Sequence, residues 1–396
     1  MFLRIATAVL LLLSSPAKVE VTARHGRSLR GTVDGAPFLL LRGSHRERGV
    51  DHGFLAGREI VRALDEGLLP LIEKRRAGAW EQTFLSRVDR FVWPKRYEEE
   101  LAGLWEGVRK ALPRKEDRML RVLKRELALA DLKAVNSLSD IIGMGCSSFS
   151  VWGELTEGGS PLVGLNLDYM AIGLAPVQCL IAVAPVEKEL KATFDPLYFG
   201  SLGVGTPMNA DGLFLALHDA DGLDPGRKQE WTPRSLALRS ATESARSVEE
   251  AAELLKKSIV SVGNNVHTVA READAGVLEW DGGGVTIRRS KSGDSLVCTN
   301  HYIDRARRDS ASDSGGRFDA LTKGIDAARA ARRRIDFEGA KGLLGSVCRN
   351  GGLVTHLSVV AWPAERRVAF AVSPAPETSA TKGRWVTVEW DEIFKN

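Results

Sequence analysis

The chain has 396 residues, 44% of them hydrophobic and 27% charged, which suits one large globular domain or two smaller ones and argues against disorder and coiled coil. Lysine and arginine number 55 against 51 acids, so the formal charge of +4 comes from mixed charge and offers no basic tract for nucleic acid. Four cysteines are too few for a disulfide scaffold, although one bridge among Cys179, Cys298 and Cys348 is compatible with an oxidising compartment.

Arg4 precedes an apolar run from Ile5 to Leu13 that is too short to span a bilayer. Residues 1–23 therefore read as a signal peptide, with small residues for cleavage at Ala17 and Ala23, and the expected location is periplasmic or secreted. No later segment has the length and apolarity of a membrane span. PFLLLRG reads as a short strand, and the helical pattern after it repeats Gly49, Gly53 and Gly57 on one face, where small residues permit close packing. His45 and His52 lack the spacing of a metal motif and read as structural or surface residues. Trp93 to Asp140 keeps a largely helical pattern, so residues 24–145 are expected to form a mainly helical prosegment or small chain.

The pattern changes at Ile141. CSSFSVWG and PLVGLNLDY are extended runs around a glycine-rich turn, and LIAVAPV, GLFLALHDA, VHTVARE, GVLEW, GVTIRR, SLVCTN, LVTHLSVVAW and RVAFAVS follow as expected antiparallel strands. Helices are expected from Pro233 to Lys257 and from Phe318 to Arg334, with Arg332 to Arg334 on a solvated face. DSASDSGG reads as a surface loop, and Gly282 to Gly284 as a hairpin turn. Strands with helices grouped between them imply an α+β fold of stacked sheets covered by helices. G-x-S-x-G, Walker and H-E-x-x-H motifs are all missing, and neither a cofactor nor a metal is expected.

The informative stretch is GMGCSSFSVWG followed by LVGLNLDY. A thiol is mostly protonated near neutral pH, so a nucleophilic Cys146 needs a base. Cutting the Gly145–Cys146 bond creates an α-amine whose reference pKa of about 7.7 to 8.0 suits that task. Cys146 can make the cut by attacking the Gly145 carbonyl, and glycine there tolerates a strained backbone. A turn at residues 156–160 sets Ser148 opposite Asp168, with Cys146 diagonal to that acid on the same face, roughly 7 to 8 Å away. A register shift by one residue would put the two on opposite faces. Asn166 shares the face of Asp168.

These residues resemble the choloylglycine hydrolase, isopenicillin-N acyltransferase and acid ceramidase-like group of N-terminal-nucleophile hydrolases. GLNLDY looks like the group's G-x-N-x-D strand, NADGLFLALHDA its N-x-x-G-L segment, and VCTNHY its TNH strand. The resemblance implies a four-layer αββα sandwich of two antiparallel sheets, with the hydrolase core at 146–396. It also implies Cys146 as nucleophile, Asp168 as the acid near the amine, and Asn300 as the amide holding the reacting centre or oxyanion. Asn166, His218 and His301 become candidate oxyanion or substrate contacts. The implied activity is hydrolysis or transfer of an amide-linked acyl group on a small, lipid-like molecule, after which two processed chains stay associated. Leu165 stands where bile-salt hydrolases and acid ceramidases carry arginine, which argues against a bile-salt substrate, and His218 lies near a position where the acyltransferases have asparagine. Competing readings are a papain-like protease with a prosegment, an ester or phospholipid hydrolase of the same fold, and a non-catalytic ligand-binding descendant.

Overall fold

The computed structural model describes residues 18–143, 145–170, 177–220, 231–304 and 313–395. The expected signal peptide up to residue 17, and residues 309–312 of the DSASDSGG loop, lie outside the described residues. The strands run as β1 (Val19–His25), β2 (Ser28–Val33), β3 (Ala36–Gly43), β4 (Met119–Leu120), β5 (Arg125–Glu126), β6 (Gly145–Gly153), β7 (Gly159–Met170), β8 (Gln178–Pro185) and β9 (Thr193–Tyr198). They continue as β10 (Met208–Asn209), β11 (Phe214–Asp219), β12 (Asn264–Val269), β13 (Ala275–Asp281), β14 (Gly284–Arg288), β15 (Ser295–Cys298), β16 (Leu353–Trp362), β17 (Arg367–Val372) and β18 (Trp385–Glu389). The helices are α1 (His45–Arg62), α2 (Leu69–Arg75), α3 (Ser86–Val88), α4 (Lys95–Ala111), α5 (Leu129–Asn136), α6 (Arg234–Thr242), α7 (Val248–Leu255), α8 (Asp313–Ala330), α9 (Phe337–Ser346) and α10 (Trp390–Phe394).

Among the described residues, one sheet has the order β1-β2-β3-β8-β9-β10-β11-β12-β13-β14 and a second the order β15-β6-β7-β16-β17-β18. Their facing sides interlock: Leu40, Leu180 and Phe194 from the first share a buried core with Leu165, Val359 and Phe370 from the second. Leu215 and Val266 pack on Leu238 and Ala252 of α6 and α7, while Phe149 and Val360 pack on Leu321 and Leu344 of α8 and α9. The expectation of wholly antiparallel sheets fails at one place, because β3 and β8 pair in parallel. The long crossover through α1 to α5 and the β6–β7 hairpin is what makes a parallel neighbour possible.

The region before Cys146 is not only helical, since β1, β2 and β3 build one edge of the larger sheet. A mature chain starting at residue 24 would lack most of β1, which pairs with β2 from Val19 onward. The glycine face of α1 packs as its spacing suggested. A Cβ on Gly49 would lie 2.0 Å from the Glu100 carbonyl oxygen of α4, and one on Gly53 would lie 2.1 Å from that of Leu104. Gly103 and Gly107 of α4 return the contact, with 2.5 and 2.1 Å to the carbonyl oxygens of Arg46 and Val50. Gly57 is looser, 3.3 Å from the Ala111 Cβ. Elsewhere, Asp281 opposes Gly284 across a tight hairpin as expected. The helical stretch expected around Pro233 to Lys257 is present as two helices, α6 and α7. Arg332 to Arg334 are exposed but lie past the end of α8.

Candidate active site

Cys146 is the second residue of β6 and is fully buried, with its thiol on the face that meets the other sheet. Its strand partner is Leu167, and Gly145 opposes Asp168. The expected register was therefore wrong: Ser148 pairs with Leu165, not Asp168, and the Cys146 and Asp168 side chains leave opposite faces of the sheet. The hairpin closes earlier than the sequence suggested, with Gly153 opposite Gly159 and an irregularity between Val151 and Gly153. Asp168 nevertheless stands beside the Gly145–Cys146 bond, since a Cβ on Gly145 would lie 3.4 Å from its Oδ2. Thr355 donates to Asp168 Oδ1 at 2.6 Å, and Arg349 Nε is 3.3 Å from Oδ2. Burial pushes this carboxyl above its ordinary value, against the bond from Thr355 and the charges of Arg317 and Arg349.

Asn300 is brought to the same point from just beyond β15. The Cys146 backbone N–H donates to its Oδ1 at 2.8 Å, and its Nδ2 donates to the Asp219 carbonyl at 2.9 Å. Arg317 Nη2 also donates to Oδ1, at 2.8 Å. Two donors at one end of the amide and a carbonyl at the other fix its orientation. Asn300 thus holds the Cys146 nitrogen through Oδ1, with one N–H of its amide on the Asp219 carbonyl.

Arg317, in the first turns of α8, is the residue that sequence reasoning missed. Its Nη1 donates to the Cys146 carbonyl at 2.5 Å and to Ser147 Oγ at 2.6 Å. One planar fork therefore ties Asn300 to the start of β6. A second unforeseen pair, Asp219 and Arg234, forms a short ion pair on the thiol side, and Arg234 is fully buried. Arg234 also holds the linker before Cys146, its backbone N–H reaching Asp140 at 3.2 Å and its Nη2 the Ser139 carbonyl at 2.5 Å. Burial raises the Cys146 thiol well above its ordinary value; Asp219 and Asp168 add to the rise, and Arg317 and Arg234 oppose it. A thiol in this setting needs a base.

The remaining candidates have other partners. Asn166 accepts from Ser358 Oγ at 2.8 Å and donates to the Leu344 carbonyl at 2.8 Å, on the helix side of the sheet. His218 and His267 bracket Ser148 at 2.9 and 2.8 Å, and His267 meets Ser150 at 2.9 Å. Burial lowers His218 to about 3 and His267 well below its ordinary value, so both rings are neutral near pH 7. His301 contacts Ser314 Oγ at 2.7 Å. His45 and His52 are buried, not on the surface. All four cysteines are free. Among the described residues, no group of three or more His, Cys, Asp or Glu could hold a metal, and no helix is long and apolar enough to cross a membrane.

Leu167, the partner of Cys146, also lines a cavity of about 170 Å³. Its walls are mainly apolar, with Ile60, Leu64 and Leu132 of the N-terminal region facing Leu197, Phe199 and Leu217 of the core. Because directly opposed strand residues point the same way, the thiol and this cavity lie on one side of the smaller sheet.

Residues 156–339 match the family model of acyl-coenzyme A:6-aminopenicillanic acid acyl-transferase. The chain is similar to that acyltransferase family. The match confirms the resemblance to N-terminal-nucleophile enzymes, and it covers Asp168, Asn300 and Arg317 while starting after Cys146. No curated protein matches the sequence. Among solved structures, an N-acylethanolamine-hydrolyzing acid amidase ortholog from Caenorhabditis elegans aligns at 16% identity and a TM-score of 0.44, over 61% of this chain and 99% of that one. A conjugated bile acid hydrolase mutant from Clostridium perfringens aligns at 12% and 0.45, over 62% and 93%. Penicillin V acylase from Agrobacterium tumefaciens aligns at 11% and 0.43, over 62% and 87%.

Proposed function

We propose that this chain is an amidohydrolase or acyltransferase of the acyltransferase-like N-terminal-nucleophile group, activated by cleavage between Gly145 and Cys146 and acting on an amide that carries an aliphatic acyl group. Its two facing sheets and their outer helices are read as the four-layer sandwich of that group, with residues before Cys146 as the prosegment. The observation that carries the reading is the hydrogen bond from the Cys146 backbone N–H to Asn300 Oδ1 at 2.8 Å, beside the Arg317 fork. It holds the one nitrogen that cleavage turns from an amide into a base.

In the first reaction the Cys146 sulfur attacks the Gly145 carbonyl carbon. The C–N bond breaks, the α-amine departs with the thiol proton, and water hydrolyses the resulting thioester to a Gly145 carboxylate and a free thiol. In turnover the amine takes the thiol proton, the sulfur attacks the acyl carbonyl, and the proton passes to the departing amine of the substrate. Water or a second amine then receives the acyl group. Asn300 Oδ1 orients the amine in this scheme, and Asp168 Oδ2, ion-paired with Arg349 Nε at 3.3 Å, is the nearby carboxylate oxygen for its ammonium form. The periplasmic or secreted location implied by residues 1–23 remains part of the proposal.

A papain-like reading needs a histidine on the thiol, and the ring nitrogens of His218 and His267 are engaged with Ser148, Ser150 and the Ala216 carbonyl. The test is trapping: protein mixed with N-acyl amides of graded chain length is quenched in acid and weighed. An acyl adduct on the fragment containing Cys146, absent from Cys146→Ala, is expected. Acyl release by Cys146→Ala at the wild-type rate would overturn the assignment.

A further inference from the structure

The loop between β9 and β10, residues 199–207, supplies one wall of the mainly apolar cavity without any regular structure of its own. Its backbone is held by main-chain bonds, with Leu217 N–H donating to the Gly205 carbonyl at 2.9 Å and Val204 N–H to that of Ser235 at 3.2 Å, and by buried side chains. Gly200 N–H donates to His52 Nε2 at 2.9 Å, and Leu202 N–H to Asn136 Oδ1 at 2.6 Å. Asn136 Nδ2 returns a bond to the Gly200 carbonyl at 3.1 Å. From the other side Asp195 accepts from Gly205 N–H at 2.7 Å and from Thr206 Oγ1 at 2.8 Å. His52, Asn136 and Asp195 are buried. Two of these three clamps lie before Cys146, so the wall is positioned jointly by both sides of the cleavage site.

Within this wall one residue differs from its neighbours. A Cβ on Gly203 would lie 2.2 Å from Ser235 Oγ, and Gly200 has φ +92 with the Ile60 side chain 3.3 Å from its would-be Cβ. Neither accepts a side chain readily. Gly205 is not in the left-handed region, and a Cβ there would meet only Leu197 Cδ2 at 3.8 Å and Leu167 Cδ1 at 4.0 Å. Both are ordinary contacts, and both residues line the cavity. A side chain at position 205 would therefore grow into cavity space next to the strand partner of Cys146.

We propose that Gly205 is the specificity-determining residue for the acyl group: its missing side chain leaves room beside Leu167 for a long unbranched aliphatic chain, and the clamp of His52, Asn136 and Asp195 fixes the width of that passage. This rests on the function proposed above. The substrate class is an N-acylated amide whose acyl tail carries no charge along the part that enters, because the wall is mostly aliphatic and aromatic, with Asn136 and three serines among its polar members and no ionised group. Each methylene excluded from such a site lowers affinity about fourfold.

Gly205→Leu and Gly205→Ala are compared with wild type, using kcat/KM for an acyl series from short to long tails and the binding of a fluorescent long-chain fatty acid to Cys146→Ala protein with and without the Leu substitution. Gly205→Leu is expected to lower the long-to-short ratio of kcat/KM at least tenfold, mainly through KM, with Gly205→Ala in between. Fatty-acid binding should weaken in parallel, while the melting temperature stays close to that of wild type. An unchanged ratio and unchanged fatty-acid binding in a folded Gly205→Leu protein would overturn the proposal. If no acyl amide is turned over by wild type, the function reading fails, and the fatty-acid measurement still decides whether Gly205 borders a chain-binding cavity.

Discussion

Replacing Arg317 separates a positioned nucleophile from a merely buried one. Its guanidinium bonds the Cys146 carbonyl, Ser147 Oγ and Asn300 Oδ1 at 2.5, 2.6 and 2.8 Å, and its Nε reaches Asp313 at 3.2 Å. Arg317→Met fills similar volume but leaves a carbonyl, a hydroxyl and an amide oxygen short of a donor in a buried place. A hydrogen bond from a charged group is worth about 1.5 to 3 kcal/mol, and the three share one donor, so their losses do not add in full. Loss of roughly 3 kcal/mol in the geometry that holds Asn300 against the Cys146 nitrogen corresponds to about a hundredfold slower self-cleavage. Arg317→Lys keeps the charge but not the fork, so its ammonium cannot serve Asn300 and the Cys146 carbonyl together, and its rate should fall between the other two. Freshly purified uncut chains of each variant are followed by mass over time, with melting temperatures taken on the same samples. Wild-type cleavage by a folded Arg317→Met protein would refute the reasoning.

Cys146→Ala should fold and stay uncut, whereas Cys146→Ser should cut slowly and turn over acyl substrates far more weakly, because a neutral hydroxyl is the poorer nucleophile; mass and steady-state rates check both. Gly53→Val should force α1 from α4, since even a Cβ would lie 2.1 Å from the Leu104 carbonyl oxygen, and denaturant unfolding should show a loss of about 3 kcal/mol or more. Burial pushes Asp195 up to about 7 although Gly205 and Thr206 donate to it. Its proton is held more tightly in the folded chain than in the unfolded one, so its contribution to stability falls as pH rises from about 4 through about 7. Asp195→Asn should remove that part of the slope, measured as the wild-type minus variant difference in unfolding free energy at pH 5 and pH 8.

The sequence announced some of this and hid the rest for identifiable reasons. A glycine before Cys146 and a glycine every fourth residue in α1 are local signals, and both lead to observed features, a strand start and a close helix contact. The strands from β11 to β17 were legible because apolar alternation and turns bound them. β1, with its mostly exposed VEVTARH, has no apolar run to mark it, and its residues 19–23 fall within the expected signal peptide. Register was misjudged because the hairpin irregularity at Val151 to Gly153 has no sequence signature, and an odd shift reversed the face assigned to Asp168. Arg317 is 171 positions from Cys146, and nothing in its neighbourhood distinguishes it from other helix arginines. The cavity is likewise a product of tertiary packing, built from segments that share no motif.

The central claim is that the base for Cys146 is its own amine. The most direct measurement is the intact mass of wild-type protein under denaturing conditions, with N-terminal sequencing of each chain and an activity assay on the same preparation. The account predicts two chains, the larger beginning at Cys146, with activity rising in step with cleavage. A fully active preparation that remains one uncut chain would contradict it.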